Sequence, residues 1–141
     1  MTIGIKSEEG FPIPSAQEIP PDKIISGKWS PMNADDESFL RSELNAEEGS
    51  FLFQLRCEFR WDETRFRKLI GAMERCAEAH ARDDSVPRWL AEGFWFLDTF
   101  VPDQVQDPVF AKQHDSEFFR ERCRDLACAV YWFFKGEPAR R

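Results

Sequence analysis

Apolar side chains in this chain recur mostly at three- and four-residue intervals, and the densest run lies between Val86 and Val101. Such spacing gathers side chains on one face of an α-helix. Pro87 suits the first turn, where a missing N–H costs nothing, and Ser85 is the expected N-cap. Trp89, Phe96 and Phe100 form one row with Gly93, and Leu90, Phe94, Leu97 and Val101 form the next. Trp95 widens the arc further, which predicts a helix buried on most sides at the centre of the fold. Pro102 disfavours helix at the residue before it, so the element should end at Val101. A helix over 88–101 would be about 21 Å long at ~1.5 Å per residue. That is too short to cross a bilayer, and Glu92 and Asp98 interrupt it.

The same periodicity marks the other elements. Asn33 or Asp35 can cap a first helix that runs to about Leu44, with Phe39, Leu40 and Leu44 facing inwards. Residues 50–61 fit two patterns. Phe51, Phe53, Leu55, Cys57, Phe59 and Trp61 alternate as in a strand, while Phe51, Leu52, Leu55 and Phe59 fall at helical spacing. The chain offers no second clear strand, so helix is preferred; a strand here would have to pair with the N-terminal segment. Asp62 is a strong N-cap for the next helix, and Trp61 and Phe66 bracket it as a hydrophobic staple. That helix should present Leu69, Ile70, Met73, Cys76, Ala77 and His80 to the core and end near Arg82. Residues 102–114 form a long loop, expected to contain a hidden turn anchored by Pro108, Val109 and Phe110. The last helix should start at Asp115 or Ser116 and end in the aromatic cluster Tyr131, Trp132, Phe133 and Phe134, with Gly136 closing it.

The fold class predicted is all-α: a compact helical bundle of three to five helices over 33–141, with an extended proline-rich N-terminal arm over 1–32. Prolines keep the arm out of helix. It carries too many isoleucines to be a free linker, so it should pack on the core.

At 141 residues the chain is of single-domain length. Its formal net charge of −7 disfavours nucleic acid and anionic membranes as partners and suits a basic protein. The four cysteines, Cys57, Cys76, Cys123 and Cys128, match no zinc or redox spacing. With no signal-peptide pattern at the start, a cytoplasmic protein with reduced thiols is expected.

Catalytic motifs are absent from the sequence: there is no Walker A, nucleophile elbow, dinucleotide fingerprint or metal-binding histidine pair. No cofactor or metal is expected. Cys76 and His80 stand four apart, but on an apolar stripe where a thiol stays protonated. Arg56, Arg60, Arg65 and Arg67 lie beside aromatics, yet Glu58, Asp62 and Glu63 cancel much of their field. Glu92 and Asp98 are unusual on so apolar a helix, and are expected at its rim, paired with Arg88 or with arginines of the last helix.

The function expected is therefore a non-catalytic cytosolic protein-interaction domain. Its sharpest form is an immunity- or antitoxin-type inhibitor, or a chaperone, for a basic partner, with Asp35–Glu37, Glu47–Glu48 and Asp83–Asp84 as contacts. One alternative is a small enzyme or ligand-binding bundle using Glu92, Asp98, His80 and Trp95 around an aromatic pocket. Another is a structural homodimer joined through the aromatic end that holds Tyr131 and Trp132.

Overall fold

The computed structural model describes residues 32–139. Over that range the chain is an all-α bundle of five helices, with no strand among the described residues. The expected arm falls outside them apart from Met32, which is partly buried against the core.

Helix α1, Ala34–Leu44, is capped by Asn33, whose Oδ1 accepts from the Asp35 N–H at 2.7 Å. Its first turn is acidic, and Asp36 reaches across to Arg75 at 2.8 Å. Leu40 and, less expectedly, Glu43 are its buried residues.

Helix α2, Phe51–Cys57, settles the ambiguity of residues 50–61 in favour of helix and shortens it. Ser50 caps it through the Phe53 N–H at 3.0 Å. Of the residues at helical spacing, Phe51, Leu52 and Leu55 are buried and Phe59, which lies beyond the helix end, is exposed; Phe53 and Cys57, which only the alternating pattern would turn inwards, are half-buried and exposed. Phe59 takes a left-handed backbone conformation (φ 50°), which ends the helical run. The backbone groups freed there are taken up from a distance. Gln104 donates to the Leu55 carbonyl at 3.0 Å, and Gln113 both donates to the Phe59 carbonyl and accepts from the Trp61 N–H.

Helix α3, Glu63–Ala79, begins as the sequence predicts. Asp62 accepts from the Arg65 N–H at 3.0 Å, and the Trp61 and Phe66 rings meet at 4.8 Å as the staple. Helix α5, Ser116–Lys135, is capped by Asp115 and closed by Gly136 at φ 80°. A Cβ at Gly136 would meet the Ala81 carbonyl oxygen at 2.9 Å, so both backbone angle and space demand glycine. A 3₁₀ turn, Pro108–Lys112, is the hidden turn of the long loop. Phe110 is its fully buried anchor, while Val109 stays exposed.

Helix α4, Arg88–Gln104, departs from expectation in three ways. It starts from Pro87 without a side-chain cap, so Ser85 does not cap it. It also runs through Pro102 to Gln104, because a proline in the last turn removes only the one bond its N–H would make to Asp98. Most importantly, it is not the centre of the bundle. The central pair is α3 and α5, which pack most extensively on each other; α1 lies on α3, and α4 lies on α5. Only Leu90, Phe94, Leu97 and Val101 of α4 are buried. The last helix likewise buries Phe119, Leu126, Ala129, Val130 and Phe133 but leaves Phe134 exposed. No described helix is long and apolar enough to cross a membrane.

Candidate interaction surface

The face that α4 turns away from the bundle follows from its packing on either side. Towards α1, Leu44 fills the notch left by Gly93, where a Cβ would meet Leu44 Cδ1 at 2.5 Å. The Arg41 guanidinium lies 4.1 Å from the centre of the Trp89 ring, and that of Arg56 lies 5.8 Å from that of Phe100. Phe96 and Phe100 stack on each other at 5.1 Å. Towards α5, the Phe94 ring meets Phe133 at 4.5 Å. The Asp98 carboxylate is close enough to Cys123 to add to the rise in thiol pKa that burial causes.

Between these two sides runs an exposed stripe of Arg88, Glu92, Trp95, Thr99 and Asp103, each three or four residues from the next. Trp95, in the middle, is 59% exposed, more than any other large hydrophobic residue among those described. Asp98 lies at the edge of the stripe, half-buried. Thr99 turns its hydroxyl back to the Trp95 and Phe96 carbonyls at 3.2 and 3.1 Å, so it makes no demand on a partner.

Charge is arranged differently here from the rest of the bundle. On α1 and α3 several acids are tied to arginines: Glu37 to Arg41, Asp36 to Arg75, and Glu63 to both Arg67 and Arg122 of α5. Burial opposes ionisation of Glu63, but hydrogen bonds from Trp61, Arg122 and Arg67 outweigh it and hold its carboxyl below the usual range. By contrast, no ion pair among the described residues involves α4. The expected pairing of Glu92 and Asp98 with Arg88 or α5 arginines is therefore not made among the described residues: Glu92 is exposed to water, and Asp98 lies half-buried beside Cys123.

The remaining sequence candidates are scattered. His80 lies at the end of α3, its Nδ1 2.8 Å from Asp83 and its ring edge-on to Phe133. It lines a small cavity with Ser85 and Lys135, well separated in composition from the Glu92, Asp98 and Trp95 stripe. The four residues Glu92, Asp98, Trp95 and His80 thus do not line one pocket. Tyr131 is 44% exposed on α5, and Trp132 is half-buried. Three of the four clustered arginines are already engaged: Arg60 with Asp62, Arg65 with Glu43, and Arg67 with Glu63 and Asp125.

A larger cavity of about 480 Å³, which the sequence did not indicate, opens where the end of α4, the 3₁₀ turn and the start of α5 meet. Pro102, Val105, Ala111, Phe119 and Cys123 line it with His114, which stacks on Phe118 at 3.7 Å. Among the described residues, no group of three or more His, Cys, Asp or Glu could hold a metal ion. No family model, curated protein or solved structure matches the chain.

The cysteines are free and differ sharply in environment. Cys57 is exposed, whereas burial, helped by the charge of Asp36, pushes the Cys76 thiol up to about 12. At about pH 8, an aromatic disulfide reagent should modify Cys57 quickly and Cys76 only after urea is added. Reaction of all thiols at one rate in the native protein would contradict the packing of α3. A thiol raised above its unfolded value of 9.0 contributes stability that is complete below that pH and is lost as pH climbs towards about 12. Replacing Cys76 with Ala should flatten the alkaline limb of the stability curve.

Proposed function

We propose that this chain is a non-catalytic protein-interaction domain, and that its working surface is the outer face of α4. The observation that carries this reading is Trp95, a large aromatic 59% exposed in the middle of a helix whose other aromatics are packed or stacked. Tryptophan is enriched where proteins bind one another, because one ring buries much area at little entropic cost. An occupant of this face would take the indole out of water, and that burial would supply binding energy. Inhibition of a toxin or chaperoning of a partner inside the cell are two tasks that such a surface performs by occupation alone.

The ligand-binding alternative rests on the cavity beside His114 and Cys123. Co-purification of the tagged full chain from its native cells separates the two. A single stoichiometric protein partner, retained by the wild type and lost with Trp95→Ala, is the expected result. A monomer carrying a small molecule, with no protein partner, would overturn the interaction reading.

A further inference from the structure

If α4 is the working surface, its chemistry also specifies what it takes. We infer that the occupant is a basic amphipathic segment of another protein, its apolar side on Trp95 and its lysines or arginines against Glu92, Asp98 and Asp103.

Charge complementarity carries this step. Around Trp95 stand three carboxylates and one cation, Arg88, and none of the four has an ionic partner among the described residues. The acidic runs that the sequence offers as contacts are partly engaged elsewhere, since Asp36 and Glu37 are bound to arginines and Asp83 to His80. The stripe on α4 is where several carboxylates flank the most exposed large aromatic among the described residues. A second copy of the chain is disfavoured as occupant: a two-fold pairing can set Arg88 against a carboxylate of the copy, but each face would still bring more carboxylates than cations, in a protein of net charge −7. An acidic segment meets the same repulsion. A basic one gains from each carboxylate, and a cation over the Trp95 ring adds a cation–π contact. The stripe follows helical spacing, which a second helix with anchors at i, i+3 and i+4 matches.

The test uses the full chain and two labelled helical peptides of identical apolar pattern, one Leu/Lys and one Leu/Glu, read by fluorescence anisotropy. The Leu/Lys peptide should bind, and more weakly as salt rises. Trp95→Ala should weaken it by roughly thirtyfold, the loss expected of a central anchor. The triple variant Glu92→Gln, Asp98→Asn, Asp103→Asn should weaken it roughly tenfold or more. Glu47→Gln, Glu48→Gln and Glu78→Gln together, which remove the same number of charges outside α4, should leave binding unchanged; a loss equal to the triple variant's would show adhesion to acidic surface in general and overturn the inference. If both peptides bind alike and both depend on Trp95, the interaction surface stands and the basic occupant is refuted. If neither depends on Trp95, the choice of α4 itself is refuted.

Discussion

Replacing Glu43 with Ala should destabilise the protein by about 3 kcal/mol, among the largest losses any single polar substitution in it can cause. Glu43 is 1% exposed. One carboxylate oxygen accepts from the Phe51 N–H at 2.9 Å, so an α1 side chain satisfies a free donor at the start of α2. The other accepts from Arg65 Nε of α3 at 2.6 Å. One carboxylate thus ties three helices together. Alanine leaves a buried donor unmet and an arginine without its anion. Arg65 is 35% exposed and can turn to water, which sets the loss at the lower end of the range for broken buried pairs. Glu43→Gln keeps an acceptor for Phe51 and should lose less, about 1–2 kcal/mol. Urea unfolding with an unchanged slope checks both values. Equal stability of the wild type and Glu43→Ala would show that the three-helix junction holds without the carboxylate.

Phe94→Ala should cost about 3–5 kcal/mol, the range for a fully buried phenylalanine. Its ring is 0% exposed and stacks obliquely on Phe133, so truncation opens a cavity in the α4–α5 contact. Neighbouring side chains can close it only by shifting off their rotamers. Urea unfolding reads this loss as a fall in midpoint; a midpoint within error of the wild type would mean that α4 does not seal the core.

These two sites differ in how far the sequence reveals them. Phe94 lies in a row of Leu90, Leu97 and Val101 whose spacing alone marks it as inward. The same local chemistry exposes the caps: Asn33, Asp62, Asp115 and Gly136 act over two to four residues, within reach of a motif. Glu43 leaves no such trace. Its partners stand 8 and 22 residues away, and a glutamate in a helix ordinarily signifies a solvated face. Gln104 and Gln113 are hidden for the same reason, since they serve backbone groups about 50 residues earlier in the chain.

The exposure of Trp95 escapes the sequence for a different reason. Side-chain character records that a residue would rather be dry; it does not record which neighbour keeps it so. On α4, apolar residues occupy nearly every direction, and periodicity cannot say which direction the other helices leave open. The answer depends on where α1 and α5 settle, a tertiary fact. Leu44 seated at Gly93 and Phe133 seated on Phe94 fix the rotation of α4 and leave Trp95 outside. Glu92 then ceases to be an anomaly, since on the outward side a carboxylate needs no counter-ion to be stable, and Asp98 sits at the rim between that side and α5.

The most direct measurement is the urea midpoint of Trp95→Ala. The side chains at 94 and 95 are consecutive and similar in chemistry, so their difference reports orientation alone. Trp95→Ala should unfold within about 0.5 kcal/mol of the wild type, as surface substitutions do. A loss comparable to that of Phe94→Ala would mean that the indole belongs to the core and that α4 has no spare face to offer a partner.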